Sequence, residues 1–179
     1  MIHGRKERNY GGMFVVESLD LEFANGERRR YERLQSSGLG AVIIVPMLDD
    51  QTVLLIREYA CGVHGYEIGL PKGRLEADET ILEAANRELK EEAGYGARQL
   101  DQLTDLTLAP GYMSHRTHVV LARDLYPERL PGDEPEEIEV IPWPIARIGE
   151  LIGRADCTEG RTLAALFIAR ETLAQGSSA

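Results

Sequence analysis

Residues 73–94 read GRLEADETILEAANRELKEEAG and predict a glycine-bearing loop that leads into a helix. Asp78 is a favourable N-cap residue, and the acidic Glu79 beside it suits the positive end of a helix. Gly94 suits the position that ends a helix, because glycine adopts the left-handed conformation without strain. Most residues in between are strong helix formers. The stretch therefore predicts a helix of about four turns.

The acidic residues of this helix fall on its apolar side. With about 100° of rotation per residue, Glu88, Glu91 and Glu92 lie along the stripe that begins at Ile81. An ordinary surface helix carries its charges on the opposite side. Carboxylates at positions i, i+3 and i+4 of an inward-facing stripe repel one another and are costly to desolvate. A divalent cation that prefers carboxylate oxygens, Mg²⁺ or Mn²⁺, would remove both difficulties.

A solvated acidic helix end is the alternative interpretation, with Arg87 pairing with Glu83 and Glu91. The complete spacing of the stretch argues against this alternative. It fits the pattern GX5EX7REUXEEXGU at every fixed position except the last, where Tyr95 replaces an aliphatic residue. That pattern is the Nudix box, so residues 73–95, called the box below, resemble those of a Nudix hydrolase.

The resemblance implies a role for each charged position of the box. Glu88 and Glu92 would be the principal metal ligands, with Glu91 close by as a further ligand or catalytic group. Arg87 and Glu79 would form an ion pair that holds the loop against the helix. We expect this ion pair to support the structure and to take no part in the chemistry.

The loop before the helix is expected to supply one more metal ligand. Gly73 lets the backbone turn so that a neighbouring peptide carbonyl, which we assign to Lys72, can face the metal. Carboxylates that hold metal ions against a pyrophosphate would neutralise its oxygens and help to make hydroxide from water. The expected reaction is hydrolysis of the phosphoanhydride of a nucleoside diphosphate linked to another group.

Composition and charge narrow the class of protein. A chain of 179 residues, 43% of them hydrophobic, suits one domain with a possible dimerising extension. The net charge of −10 argues against nucleic acid as a partner. Cys61 and Cys157 are isolated and indicate neither a zinc site nor a disulfide framework. No apolar run has the length of a signal or membrane span, so we expect a cytoplasmic protein that does not bind membranes.

The rest of the chain predicts an α+β fold. Residues 1–12 are polar and are expected to be loose, whereas residues 14–23 and 27–35 predict a hairpin around an Asn-Gly turn. The arginines of its second strand indicate an exposed edge strand or, alternatively, a phosphate contact. Later strands are predicted at 41–45, 52–59, 66–70, 100–108, 117–122 and 139–143, and helices at 145–153 and 158–174.

The Nudix resemblance implies an α/β/α sandwich with a mixed sheet. We predict two parts, an N-terminal β-hairpin extension over residues 1–38 that forms a dimer contact, and a Nudix hydrolase domain over residues 39–179. The linker at Ser36-Ser37-Gly38 would permit the hairpin to reach across a homodimer.

Segments outside the box resemble the ADP-compound hydrolase branch of the family, often called NudE. They are residues 16–23, 56–60, 83–92, 124–128 and 132–136. Pro110 also lies about where Nudix hydrolases of the ADP-ribose type carry a proline. The resemblance implies ADP-ribose, dinucleoside polyphosphates and NADH as substrates and AMP as the product. It also implies a homodimer whose N-terminal hairpins help to form the adenine sites.

Candidate substrate contacts lie outside the box. Ala60 stands where many ADP-ribose hydrolases have a phosphate-binding arginine, so Arg57 or Arg33 would have to take that role. Residues 109–115 form a loop of the kind that often carries function. Together with Tyr59, the loop residues Pro110 and Tyr112 complete the candidate set.

The general base is expected in a later acidic loop, as it is in the ADP-ribose branch. Glu134, Glu136, Glu137 and Glu139 all qualify by position. We select Glu136, and we expect most of the others to be solvated surface charges.

Two other functions stay open at this point. A Nudix hydrolase for another nucleoside diphosphate derivative, such as a nucleotide sugar or capped RNA, is one, although the acidic charge disfavours RNA. A non-catalytic nucleotide-binding module with the same fold is the other. The self-repelling set of Glu88, Glu91 and Glu92 argues against it, because a binding module has no need of such a cluster.

Overall fold

The computed structural model of the protein describes residues 2–9, 15–35 and 38–176. The chain folds as two compact units. The first comprises Met1–Gly40 and Thr107–Arg116, and the second comprises Ala41–Leu106 and Thr117–Ala179. The predicted boundary at residue 38 stays a prediction, since the first unit also takes in a segment from the middle of the chain.

The first unit contains a three-stranded antiparallel sheet with the strand order β1-β2-β3. Its strands are β1 (Ile2–Asn9), β2 (Val15–Glu22) and β3 (Arg28–Gln35). The prediction that residues 1–12 are loose is wrong for residues 2–9, because pairing with β2 satisfies the backbone of a segment that lacks an apolar face. Residues 10–12 lie outside the described part of the chain. The predicted hairpin therefore forms two strands of a larger sheet.

The arginines of β3 lie on an edge strand, where Arg28, Arg29 and Arg30 are exposed. The structure thus agrees with the interpretation of an exposed edge. Glu17 of β2, in contrast, is fully buried. Its carboxylate oxygens lie 2.7 Å from Nε of Arg5 and 2.6 Å from Nε of Arg33, so two cations compensate its burial.

The segment 107–116 packs on β3 within the first unit. The amide of Leu34 donates to the carbonyl oxygen of Tyr112 at 2.8 Å, and the amide of Ser114 donates back to the carbonyl oxygen of Leu34 at 3.2 Å. The sequence pattern gave no indication of this pairing between segments about 80 residues apart.

The second unit contains two sheets and the helices. Their strand orders are β7-β4-β9-β8 and β10-β5-β6. Strand β4 is parallel to β9 and antiparallel to β7, so the four-stranded sheet is mixed. The elements are β4 (Ala41–Pro46), β5 (Thr52–Ala60), β6 (Gly65–Gly69), β7 (Lys72–Arg74), α1 (Ile81–Glu88), a π-helix (Leu89–Ala93), β8 (Tyr95–Thr107), β9 (Arg116–Pro127), β10 (Glu139–Pro144), a 3₁₀ helix (Ile145–Leu151) and α2 (Gly160–Gly176).

Strand β4 lies in the middle of this unit and is buried on both sides. Val42 and Ile44 pack in one apolar cluster with residues of α1 and the π-helix. Ile43 and Val45 point the other way and pack in a second cluster with residues of α2. Because the two helical segments cover opposite faces, the layers form the predicted α/β/α sandwich, which is confirmed. No helix in residues 2–9, 15–35 or 38–176 is long and apolar enough to cross a membrane.

The box helix begins and ends differently from a single regular helix. Its N-cap is Thr80, so the assignment of Asp78 was wrong: Thr80 and Glu83 form a reciprocal capping box, whereas Asp78 has a φ of 70° in the preceding turn. After Glu88 the chain changes to the π-helix, a form that often marks functional sites. Gly94 then ends it in the left-handed conformation, as expected.

Candidate active site

Two of the three acidic box residues face the interior. Glu88 is 8% exposed and Glu92 is 3% exposed, whereas Glu91 is half-buried. The neighbouring Ala84, Ala85 and Leu89 belong to the apolar cluster under the helix. The carboxylates therefore share the apolar side of the helix, and the alternative of a solvated acidic helix end is excluded for Glu88 and Glu92.

Arg87 ties the box together. Its Nε and Nη2 donate to the two carboxylate oxygens of Glu79 at 3.1 and 2.8 Å, which is the expected ion pair. Its Nη1 donates to Glu88 at 2.7 Å and to Glu91 at 3.1 Å, and Nη2 also reaches the carbonyl oxygen of Arg74 at 3.0 Å. These hydrogen bonds, above all the one to Glu79, raise the pKa of Arg87 and lower that of Glu79.

The loop residues Lys72 and Gly73 contact the buried carboxylates directly. The backbone amide of Lys72 donates to Oε2 of Glu92 at 2.9 Å, and its ammonium group pairs with Glu58. A Cβ atom at Gly73 would overlap the carboxylate of Glu88. The loop therefore orients both glutamates, while the predicted role of the Lys72 carbonyl as a metal ligand stays a prediction.

Burial has the largest effect on the pKa values of Glu88 and Glu92. It raises the pKa of Glu92 to about 8 and also raises that of Glu88, and each carboxylate adds repulsion to its neighbours. The two groups thus suit a divalent cation, which would neutralise both. No cluster of three or more acidic, His or Cys side chains with metal-binding geometry occurs in the segments that the structure describes.

Residues 128–138, called the acidic loop below, lie beside the box. Together with Glu91, nine residues of this loop line a pocket of about 320 Å³, and they include Glu134 and Glu136. A Cβ atom at Gly132 would overlap the carboxylate of Glu134 and lie 3.8 Å from Cβ of Glu91. The charge of Glu134 also contributes to the raised pKa values of Glu88 and Glu92. Glu134 is therefore the acidic-loop carboxylate whose charge acts on both buried glutamates of the box.

Glu136, the residue selected as the base from sequence, has a different partner. The hydroxyl of Tyr66 lies 2.8 and 2.9 Å from its two carboxylate oxygens and donates to them. Tyr66 was not singled out from sequence. The signal for it was its position opposite Tyr59 in the β5–β6 register, since such pairs form the stabilising contacts of a sheet.

Arg57 and Tyr59 lie beside this pair. They share a small pocket of about 100 Å³ with Tyr66 and the end of the acidic loop. The guanidinium carbon of Arg57 lies 5.4 Å from the centre of the Tyr66 ring, and its Nη1 lies 3.6 Å from Glu139. The rings of Tyr59 and Tyr66 meet edge to face at 5.8 Å. Two predicted substrate contacts and the acidic loop are thus brought together.

The other predicted substrate contacts belong to the first unit. Arg33 pairs with the buried Glu17, Tyr112 is exposed, and Pro110 precedes it in the segment that packs on β3. The pairing of Leu34 with this segment brings the three residues into one region of that unit. Their contact with a substrate stays a prediction.

Comparison with known proteins connects this geometry to a family. The family described as NUDIX domain matches residues 39–154, and the NudE-type Nudix hydrolase N-terminal domain matches residues 1–33. The chain is 50% identical to the ADP compounds hydrolase NudE of Escherichia coli K12 over 161 residues, which covers 90% of this chain and 86% of the relative. It is 28% identical to the ADP-ribose pyrophosphatase of Bacillus subtilis, and the match covers 90% of this chain and 88% of that relative.

A solved structure gives the same result in three dimensions. A crystal structure of an ADP compounds hydrolase superimposes with a TM-score of 0.91 and 46% identity, covering 98% of this chain and 95% of the other. The box spacing, the sandwich and the buried glutamates all agree with these matches. Nudix hydrolases use divalent metal ions, which is the chemistry that the carboxylate pair suits. The chain therefore belongs to the Nudix hydrolase family.

Proposed function

We propose that this protein hydrolyses the pyrophosphate bond of ADP-linked compounds, namely ADP-ribose, dinucleoside polyphosphates and NADH, and releases AMP. The observation on which the proposal depends is the buried pair Glu88 and Glu92. Two desolvated carboxylates at this spacing are costly unless a cation joins them. The names of the similar proteins, an ADP compounds hydrolase and an ADP-ribose pyrophosphatase, support the choice of substrate class.

The metal in this proposal is Mg²⁺ or Mn²⁺. Glu88 and Glu92 would hold it, with Glu91 and the Lys72 carbonyl as further candidate ligands. A divalent ion bound there supplies charge neutralisation at the phosphate oxygens and a water of lowered pKa. The hard oxygen donors of the site suit either ion.

Other residues of the site are proposed to orient the two carboxylates and to take the proton from the attacking water. Arg87 fixes Glu88 through Nη1, and the Lys72 amide fixes Glu92, so neither carboxylate has to be ordered when substrate binds. Glu134, whose charge reaches both carboxylates, is our choice for the general base that takes a proton from the attacking water. Glu136 is the less suitable candidate, because the Tyr66 hydroxyl occupies its carboxylate.

Arg57 and Tyr59 are proposed to contact the substrate from the pocket beside the acidic loop. Arg33, Pro110 and Tyr112 stay candidate contacts as well. A homodimer and a cytoplasmic location complete the proposal.

The test is AMP release from ADP-ribose, diadenosine triphosphate and NADH, with Mg²⁺ and then Mn²⁺. GDP-mannose, scored by GMP, represents the nucleotide sugars. We expect AMP from the adenylate substrates and at least about a 100-fold lower rate for Glu92→Gln. Faster turnover of GDP-mannose would favour the nucleotide-sugar alternative. If the protein binds these nucleotides but cleaves none of them with Mg²⁺ or with Mn²⁺, the result would favour the non-catalytic module.

A second pair of variants separates the two candidate bases. Glu134→Gln is expected to lower kcat by about 10²–10⁴-fold, the range for loss of a general base. Glu136→Gln should stay within about threefold of the wild type, because the amide oxygen still accepts a hydrogen bond from Tyr66. The reverse order of these two effects would return the assignment to Glu136.

A further inference from the structure

The acidic loop is attached to the box at its first end. Glu128 pairs with the ammonium group of Lys90 at 2.9 Å, and its amide donates to the carbonyl oxygen of Gly94 at 3.1 Å. The amide of Leu130 donates to the carbonyl oxygen of Lys90 at 3.2 Å. These contacts fix the start of the loop to the π-helix, four residues before Glu134.

The middle of the loop lies close to the box. A Cβ atom at Gly132 would overlap the carboxylate of Glu134 and lie 3.8 Å from Cβ of Glu91, so both glutamates border the same stretch of backbone. The course of this backbone brings Glu134 near the box.

Towards its far end, before the buried Ile138 and the pairing of Glu139 with Arg57 that begins β10, the loop also contacts Tyr66. The Tyr66 hydroxyl is shared between both carboxylate oxygens of Glu136, two residues after Glu134. The hydrogen bond to Glu136 raises the pKa of Tyr66, so the phenol remains a donor throughout the neutral range. The ring itself is held from two sides, by the edge of Tyr59 and by the guanidinium of Arg57.

We propose that Tyr66 is a positioning residue, which acts through Glu136 to hold the acidic loop and its Glu134 against the box. This inference rests on the proposed function, because it assigns to Tyr66 the placement of the general base. The role proposed for Tyr66 therefore differs from that of its neighbours Arg57 and Tyr59, which we propose to contact the substrate.

The kinetic test uses Tyr66→Phe, which keeps the ring and removes only the hydroxyl, Glu136→Ala, and the double variant. Each single variant should lower kcat about tenfold with KM within about twofold, as for other residues that orient a catalytic group. The double variant should be no slower than the slower single variant, because the two changes remove the same hydrogen bond. Glu136→Gln should recover most of the activity.

Three kinetic results would overturn the proposal. They are an unchanged kcat in Tyr66→Phe, losses that multiply in the double variant, and a raised KM at constant kcat, which would make Tyr66 a substrate contact. Thr172→Val is the matched control, since it also removes a single hydroxyl, one that donates to the carbonyl oxygen of Ile168 on the exposed surface of α2. It should keep the wild-type kcat.

Hydrogen exchange separates this proposal from the proposed function. The amides of residues 128–138 should exchange faster in Tyr66→Phe than in the wild type, and Thr172→Val should leave them unchanged. If the wild type cleaves none of the substrates but Tyr66→Phe still accelerates exchange, the substrate assignment fails and the attachment of the loop stands. If exchange is unchanged in Tyr66→Phe, the proposal for Tyr66 fails whatever the activity.

Discussion

At the scale of single residues, the site depends on two carboxylates in an apolar environment and on a glycine that makes room for one of them. Glu88 and Glu92 are buried, and their compensation comes from Arg87 and from the amide of Lys72. Gly73 contributes by the absence of a side chain. Small changes at these positions should therefore affect activity more than folding.

Gly73→Ala should lower kcat by about 10- to 100-fold while the protein still folds. The added methyl group would overlap the carboxylate of Glu88 and turn it away from the position that suits a metal. AMP release measures the effect, and circular dichroism checks the fold. Gly149→Ala is the control, because a Cβ there has nothing within 4 Å. Equal activity of the two variants would show that Gly73 has no such role.

The stability of the metal-free protein should fall as pH rises from about 4.5 to about 8. The pKa of Glu92 is about 8 in the fold, against an ordinary value of 4.5, so between these values the folded state binds the extra proton. The free energy of unfolding then decreases with increasing pH. Thermal melting in a chelator should show a steeper decrease for the wild type than for Glu92→Gln. Parallel curves would contradict the assignment of this pH dependence to Glu92.

At the scale of elements, the box is a composite of a loop, a short α-helix, a π-helix and a glycine stop. Thr80 rather than Asp78 starts the helix, because the Thr-x-x-Glu pattern satisfies two backbone donors reciprocally. The turn before the helix holds Glu79 against Arg87. The acidic loop is a second element: its start is attached to the box, its Glu136 contacts Tyr66 of β6, and it continues into β10.

Thr80→Ala should destabilise the protein by about 1 kcal/mol, the usual cost of losing an N-cap side chain. For a chain of this size that corresponds to a decrease of about 2–4 °C in Tm. Urea denaturation measures the change. Thr80→Ser keeps the hydroxyl and should remain close to the wild type. If the two variants are equally stable, the capping hydrogen bond is not what fixes the start of the helix.

At the scale of the whole molecule, the chain consists of a small antiparallel sheet unit and a sandwich unit. The first unit exposes large apolar side chains, among them Ile2, Phe23 and Tyr31, and its sheet has two edge strands. Exposed apolar side chains and open strand edges are features that association with a second copy would cover. The second unit carries the box, the acidic loop and the pocket with Arg57.

We predict that the protein is a homodimer at the concentrations used in the activity assay. Analytical ultracentrifugation should give a particle of two chains, because the exposed apolar residues of the first unit favour association. Phe23→Ser should shift the equilibrium towards the monomer. Phe167→Ser, at a partly buried position that packs against the core of the second unit, should instead lower stability. A monomeric wild type with full activity would contradict the prediction.

The sequence by itself predicted the inward-facing carboxylates and the class of fold. The box spacing is local, so Glu88 and Glu92 could be placed on the apolar side of the helix, and the resemblance of the box implied the ion pair of Glu79 and Arg87. The alternation of apolar residues identified β4 and β5, because strand periodicity is also a local property. Both predictions depend on contacts between residues that are near in sequence.

Only the tertiary structure decided which distant groups meet. The amide that holds Glu92 is 20 residues away, and Tyr66 is 70 residues from Glu136. Our proposal of Glu134 rather than Glu136 as the base, and the pairing of residues 2–9 with β2, also depend on how the chain folds back. Several acidic residues of one loop are equivalent in sequence, and they become different only when packing brings one of them to the buried carboxylates and another to a tyrosine.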